Sequence, residues 1–303
     1  MTNVAGAPGT ADAAGAPEPA GERKVSETLH FARRNPKLLI GLGIVLAFLL
    51  LGVFGPFFVS DTPNDYVGPK SQPPGGEYWF GTNTFGQDIW AQFVYGVRAT
   101  FLIGVFGGGV AFLIGTAVGF VAGYKGGIVD EILNMLTNVV LVLPALVVLI
   151  VAIAYLDVRG LFVQGVFIGL TTWPWAARAV RSQALSLATR DYVDLARLSG
   201  RRTWKIITTE IAPNMSSYLV MSFILLFGGA VLTAAGLDFI GLGPSNGVSL
   251  GLMLESAVQW SALTLGMWWW FVPPGLGITV IVGSLYILNV GLDEVFNPKL
   301  REL

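Results

Sequence analysis

The sequence contains no cysteine, a single histidine and few charged residues. Without cysteine, disulfides, thiolate metal sites and cysteine nucleophiles are excluded. The lone His30 has no partner with which to form a metal site or a catalytic triad. Charged residues make up 12% of the 303 residues, whereas a soluble domain carries about 25%. These absences make an enzyme unlikely on chemical grounds and favour a protein that does not reside in water.

Phosphate-binding features are also missing. Lysine never directly follows glycine, so the chain has no Walker A loop with which to bind ATP. The net charge is −1 and no block of basic residues occurs, so nucleic acid is not indicated as a partner.

Long apolar runs dominate what is present, since 53% of the residues are hydrophobic. A helix needs about 20 apolar residues to cross a bilayer, and backbone groups in lipid must be satisfied internally. We therefore predict an all-α polytopic membrane protein with about six transmembrane helices. The predicted spans are residues 38–59, 99–124, 132–156, 161–177, 217–237 and 271–292.

Basic residues set the expected orientation. They precede the first span and fill the segment 178–214, whereas the loop 60–98 is mostly acidic. Both termini are therefore expected in the cytoplasm. Residues 1–25, rich in Ala, Gly and Pro, are expected to be a disordered cytoplasmic tail. Residues 26–98 are expected to form the first transmembrane helix and an external loop, and 99–303 the helical core.

The glycines, the prolines and the lack of charged residues in the predicted spans each lead to an expectation. Gly115, Gly119 and Gly123 share one helix face, which favours close intramolecular packing over a subunit interface or pore wall. Prolines at 144, 174, 273 and 274 are expected to bend helices. The predicted spans contain no Asp, Glu, Lys, Arg or His, which disfavours a self-powered secondary carrier. Uncharged sodium sites remain open.

A charged segment, residues 190–214, separates the fourth and fifth spans. Tyr192, Leu195, Ala196 and Ser199 can share one helical face. Gly200 permits a sharp turn, after which a second helix runs from Thr203 toward Pro213. The segment is therefore predicted to be a projecting knob, although its composition also fits a solvated loop.

The same segment resembles the EAA motif of ABC importer permeases. In that family an acidic residue followed by Ala-Ala and a glycine precedes a proline thirteen residues beyond the glycine; here these are Asp194, Ala196, Gly200 and Pro213, with Leu195 replacing the first alanine. The likeness covers roughly residues 79–298. Matches to the dipeptide/oligopeptide branch are Phe80, Gly81, Thr82, Gly86, Asp88, residues 123–130, Ala176, Ala177, Arg178, Arg181, Asp191, Tyr192, Val193, Pro213, Asn214 and residues 239–243.

The resemblance implies the type I ABC importer permease fold, with residues 190–214 as a cytoplasmic coupling loop that docks on an ATP-binding subunit. Asp194 would cap or pair at the docking surface, Ala196 would allow close approach, and Gly200 would make the turn. Pro213 and Asn214 would lead into the fifth helix. The residues implied in coupling are Asp191, Tyr192, Asp194, Leu195, Ala196, Arg197, Ser199, Gly200, Arg201, Pro213 and Asn214.

The resemblance also implies the partners. They are two ATP-binding subunits holding ATP and Mg, a second permease subunit, an external substrate-binding protein or lipoprotein, and the lipid of the plasma membrane. No cofactor or metal is expected on this chain. Trp268, Trp269, Trp270 and Asp88 are candidates for the substrate path or binding-protein contact. Short peptides are the expected cargo, with oligosaccharides as an alternative within the class and an autonomous carrier or channel outside it.

Overall fold

A computed structural model describes residues 34–59, 62–155, 160–245 and 247–296. Within these ranges every regular element is helical, apart from one isolated bridge between Thr82 and Asp88. The all-α prediction is confirmed for this part of the chain. The predicted tail at residues 1–25, His30 and the C-terminal residues from 297 onward lie outside the described residues.

The helices vary from a single turn to 37 residues. A 3₁₀ turn, Gly55–Phe57, follows the first helix, and a π-helical turn, Ile207–Ile211, follows the seventh. In chain order the helices are α1 Pro36–Phe54, α2 Ile89–Lys125, α3 Gly127–Val142, α4 Ala145–Ala154, α5 Leu161–Ala188, α6 Asp191–Leu198, α7 Thr203–Ile206, α8 Ala212–Asn214, α9 Ser216–Phe239, α10 Leu250–Gln259 and α11 Trp268–Phe296.

Among the described residues, four helices are long and apolar enough to cross a membrane: α1 with its 3₁₀ extension, α2, α9 and α11. Helices α3 and α4 form a fifth such segment if the pair is counted as one, with a bend of 77° between them. The bend lies at Pro144, as predicted, because Leu143 and Pro144 are both extended. The predicted span 161–177 lies within α5, which does not meet the same criterion; six crossings therefore stays a prediction.

Helices α2 and α5 pack backbone against backbone, because glycines line their contact. A Cβ atom on Gly115 would lie 2.5 Å from Ala176 Cβ, which is closer than two carbon atoms can approach. The predicted intramolecular role of the glycine stripe is thus confirmed. The remaining close approaches along this pair are Gly119 to Val180, Gly123 to Ala184, Gly165 to Phe106 and Gly169 to Val110.

Asp238 is the centre of a buried polar cluster that was not predicted from the sequence. Asp238 lies one residue beyond the predicted span 217–237, within α9, and is buried. Its carboxylate accepts hydrogen bonds from Gln164 Nε2 of α5, at 2.6 Å, and from Ser249 Oγ at the start of α10. The cluster ties α5, α9 and the following loop together, since a buried carboxylate needs such donors.

Residues 62–88 fold against the start of α2 and α11. Asp88 is the N-cap of α2, where its Oδ1 accepts a hydrogen bond from Trp90 N at 2.9 Å. Helix α2 therefore begins at Ile89, and the boundary expected at 98/99 falls inside this helix. Within this segment, Thr82 and Asn83 are buried.

Candidate functional site

The coupling loop, residues 190–214, forms the predicted knob of two helical pieces joined by a glycine turn. Helix α6 carries Asp191 and Asp194 in its first turn, where negative charge favours the helix dipole. It ends in a Schellman motif: Gly200 N donates to Arg197 O at 3.0 Å, and Arg201 N donates to Ala196 O at 3.3 Å. Gly200 has a φ of +70°, in the left-handed region that favours glycine. The predicted turn is confirmed.

One side of the coupling loop is buried against the membrane helices. Val193 and Ala196 of α6 pack in an apolar cluster with isoleucines of the following segment. Ala196 therefore faces this chain's own helices, which differs from the expectation that it would allow close approach to a partner. The loop is fastened to α2 and α5 by this cluster, whose buried members are Phe120, Val180, Ala184, Val193, Ala196, Ile206, Ile207, Ile211 and Met215.

The opposite side of the loop exposes large apolar side chains. Leu195 is 65% exposed, Leu198 is 85% exposed and Trp204 is 62% exposed. Tyr192 is half-buried and packs against the apolar cluster that contains Ala196. Of the four residues expected to share one helical face, Tyr192 and Ala196 therefore lie against this cluster, whereas Leu195 and Ser199 are exposed. Leu198 and Trp204 were not singled out from the sequence, because exposure of an apolar residue in a short helix has no sequence signal.

Arg197 fastens α6 to the end of α2. Its Nε donates to Tyr124 Oη at 3.3 Å, its guanidinium lies 4.9 Å from the Tyr124 ring centroid, and its Nη1 donates to Asp194 at 3.0 Å. Hydrogen bonding to Tyr124 raises the pKa of Arg197 above its already high ordinary value, so this cation is charged at every physiological pH. The contact is a cation–π interaction supported by an ion pair.

A second set of polar contacts closes the loop behind Gly200. Arg201 Nη1 donates to Glu210 Oε1 at 2.6 Å, which joins the glycine turn to the π-helical turn. Asn214 Nδ2 donates to the carbonyl of Glu210 at 2.6 Å, and Pro213 is the second residue of the short α8. Ser199 Oγ donates to Leu195 O at 2.8 Å within α6. Most of the predicted coupling residues are thus brought into one compact unit.

The tryptophan triplet lies at the start of α11, at the end of the bundle away from the coupling loop. Trp268 is half-exposed, and Trp269 Nε1 donates to Thr82 O at 3.2 Å. Trp270 is only 1% exposed, so its ring offers no surface to a partner in this structure. Asp88 serves as the cap of α2. The triplet therefore divides into one exposed indole, one that hydrogen-bonds to the outer segment and one that is buried in the apolar core.

No cluster of three or more potential metal ligands occurs among the described residues. The coupling loop contains no histidine, and its remaining side-chain contacts include a hydrogen bond from Thr209 Oγ1 to Glu210 Oε1 at 3.1 Å.

Comparisons with known proteins identify a family and several relatives. Residues 115–302 match the profile of the family described as binding-protein-dependent transport system inner membrane component. A dipeptide transport system permease protein of Bacillus subtilis is 31% identical over 89% of this chain and 84% of its own length. One from Alkalihalophilus pseudofirmus is 30% identical over 91% of this chain and 90% of its own. An oligopeptide transport system permease protein of B. subtilis is 30% identical, covering 89% and 88%.

The family profile covers the last turns of α2, all of α3 to α11 and the loop of residues 190–214. This chain belongs to the family of binding-protein-dependent transport system inner membrane components, multi-pass proteins of the inner membrane.

Proposed function

We propose that this chain is one of the two transmembrane subunits of an ATP-driven ABC importer of short peptides. The relatives named above are dipeptide and oligopeptide permeases, and their similarity to this chain extends over most of their length. Transport proceeds by alternating access, with no chemistry on the substrate. ATP and Mg are bound by two separate ATP-binding subunits, because this chain has no phosphate-binding loop.

The observation that carries the proposal is the exposed apolar side of the coupling loop. Leu195, Leu198 and Trp204 project from a charged segment that is fastened to the bundle on its other side. Apolar side chains in a polar rim are the composition of a protein interface centre. The ATP-binding subunit docks on this surface, and Asp194 and Arg197 lie at its rim.

The buried side of the loop supports transmission of force. Val193 and Ala196 are packed with Val180 and Ala184 of α5 and with Phe120 of α2. Close-packed interiors resist compression, so displacement of the loop displaces these two helices rather than deforming the contact. ATP-driven closure of the two ATP-binding subunits in this way switches the path between its inward-facing and outward-facing forms.

The outer partner is a substrate-binding protein that docks near the start of α11. Trp79 and Trp268 expose large parts of their indoles there, and the outer segment 62–88 lies beside them. A second, similar permease subunit completes the pore. Cargo selection resides largely in the binding protein, so this chain transmits and conducts more than it selects.

The experiment is to purify the complex with its ATP-binding subunits and binding protein, identify the ligands that the binding protein retains, and measure uptake into proteoliposomes. ATP-dependent uptake of a retained di- or oligopeptide is the expected result. Retention of oligosaccharides alone would show that the cargo is an oligosaccharide and not a peptide. Uptake by this chain without ATP-binding subunits would show that it is an autonomous carrier or channel, and the proposal would fail.

A further inference from the structure

A polar cavity of about 220 Å³ lies between the outer segment, the loop that precedes α10, α10 itself and the start of α11. Its rim includes Asn64, Ser245 and Gly247, which are exposed. Its floor includes Met253 and Trp270, which are buried in the main apolar core. The cavity is therefore a socket that closes within this chain and does not continue as a passage through the bundle. We call it the outer socket.

One wall of the outer socket is a chain of hydrogen-bonded amide side chains. Asn83 Nδ2 donates to Gln87 Oε1 at 2.7 Å, and Gln92 Nε2 donates to the same oxygen at 3.0 Å. Gln87 Nε2 donates in turn to the carbonyl of Asn64 at 3.0 Å. Asn83 and Gln92 are buried. Because these bonds fix the amides before a ligand arrives, little side-chain entropy is lost when one binds.

Among the described residues, this wall and the floor leave one acceptor and one donor unused. Gln92 Nε2 also donates to Pro63 O at 3.1 Å, so both partners of this group are acceptors and Gln92 Oε1 is left as the free end of the amide. Trp270 is buried, and its Nε1 has no hydrogen-bond partner. A buried N–H group without an acceptor is rare in folded proteins, so this position favours a ligand that supplies a carbonyl oxygen.

The lining of the outer socket selects an uncharged ligand. No Asp, Glu, Lys or Arg occurs in the described lining, so the socket cannot neutralise the ammonium and carboxylate ends of a free dipeptide. An interior peptide group supplies one C=O and one N–H, which match Trp270 Nε1 and Gln92 Oε1. The volume is also below the roughly 300–1,000 Å³ of a site that encloses a whole small ligand. The socket therefore fits one uncharged residue of a longer polypeptide.

We propose, on the basis of the function proposed above, that the outer socket receives a loop of the external substrate-binding protein. A backbone carbonyl of that loop accepts from Trp270 Nε1, and a backbone N–H donates to Gln92 Oε1. The binding protein is the polypeptide that meets this end of the chain, and the closed floor places the socket off the route of the cargo. Because the floor belongs to α10 and α11, the inserted loop bears directly on a membrane-spanning helix.

The first test fills the socket. Ser256 of α10 is half-buried and lines the socket, so Ser256→Trp occupies the space without removing an amide of the wall. Thr264→Trp is the matched control, at an exposed position beyond α10 and outside the lining. Binding of the purified binding protein to the full complex in nanodiscs is measured together with peptide uptake. We expect Ser256→Trp to bind it about tenfold more weakly, the order of loss for one central interface contact, and Thr264→Trp to bind it normally.

Two outcomes of this test would overturn the proposal. Wild-type docking and uptake by Ser256→Trp would show that nothing enters the socket on docking. Normal docking with slowed uptake would show that the socket holds the cargo and not the binding protein. If the wild-type complex binds no binding protein at all, the proposed function fails together with this inference.

The second test does not depend on a bulky substitution. This chain contains no cysteine, so Ser256→Cys supplies its single thiol. It is combined with single cysteines placed along the loops of the binding protein, because a disulfide forms only where two Cα atoms approach within about 7 Å. We expect a disulfide to one loop, and none between that loop residue and Thr264→Cys. Absence of every Ser256→Cys disulfide while the binding protein is docked would overturn the insertion.

Discussion

The guanidinium of Arg197 lies 4.9 Å from the ring centroid of Tyr124, so the coupling helix is fastened to the last turn of α2. At its other end, α2 begins after its N-cap Asp88, beside the outer segment of residues 62–88. One helix of 37 residues thus contacts the coupling loop at one end and the outer segment at the other.

The Tyr124 contact predicts a graded effect on coupling. Tyr124→Phe keeps the ring beneath Arg197 and removes only a weak hydrogen bond, whereas Tyr124→Ala removes a cation–π contact of about 0.5–1 kcal/mol. We expect Tyr124→Ala to lower the number of peptides imported per ATP hydrolysed, and Tyr124→Phe to resemble wild type. The measurement is uptake and phosphate release in the same proteoliposomes. Wild-type coupling ratios for both variants would show that the contact transmits nothing.

The exposed side of the coupling loop predicts a docking defect. Leu198→Asp places a charge at the most exposed apolar position of the loop, and central interface residues contribute about 2 kcal/mol or more, roughly a thirtyfold change in affinity. Binding of purified ATP-binding subunits to the detergent-solubilised permease pair measures the loss. Leu265→Asp, at an exposed leucine outside the coupling loop, is the control and is expected to bind normally.

The Schellman turn predicts a requirement for a left-handed residue at 200. Gly200→Asn tolerates a φ of +70°, whereas Gly200→Trp adds strain of about 1–2 kcal/mol and a bulky side chain at an open position. We expect Gly200→Trp to insert normally but to uncouple ATP hydrolysis from uptake, and Gly200→Asn to retain most uptake. Normal uptake by Gly200→Trp would refute the docking role of the turn.

The glycine contact between α2 and α5 predicts that two glycine-to-alanine variants of α2 differ in thermal stability. Gly115→Ala forces a methyl group to within 2.5 Å of Ala176 Cβ, and overpacking of this kind costs about 1–3 kcal/mol. Gly109→Ala is on the same helix and meets nothing within 4 Å. The fraction of folded, monodisperse protein after heating in detergent should fall for Gly115→Ala only. Equal thermal behaviour would mean that the two helices separate more readily than the structure shows.

The buried Asp238 cluster predicts a further loss of stability. Asp238→Ala leaves the donors of Gln164 and Ser249 buried without an acceptor, at a cost of about 1–3 kcal/mol for each group. Asp65→Ala, at an exposed position with one hydrogen bond to Thr62 N, is the control. Heat denaturation should separate the two variants clearly. Wild-type stability of Asp238→Ala would show that the cluster is not needed to join α5, α9 and α10.

The sequence predicted the long helices better than their ends. Helix α2 begins at Ile89 rather than at 99, because Gln92 and Arg98 interrupt the apolar run while the fold still covers the backbone there. Helix α10 was not predicted, although Ser249 is a usable capping signal. At ten residues it is too short for a search based on membrane-spanning length.

Within the coupling loop, the glycine turn could be predicted from the sequence, whereas the buried face of α6 could not. The Gly200 turn follows from one residue's backbone freedom, so its position was predicted correctly. Which face of α6 is buried depends on Ile206, Ile207 and Ile211, which return to cover Val193 from the following segment. An eight-residue helix has too few turns for its own pattern to decide between two faces.

The 77° bend at Pro144 has a consequence for reach. Laid end to end, the 16 residues of α3 and the 10 residues of α4 would extend about 39 Å, but bent they advance only about 27 Å along the α3 axis. The second figure is shorter than the roughly 30 Å of a bilayer's hydrocarbon layer. In this conformation the pair therefore does not reach across the hydrocarbon layer along the α3 axis, and only a straighter arrangement at Pro144 would be long enough to do so.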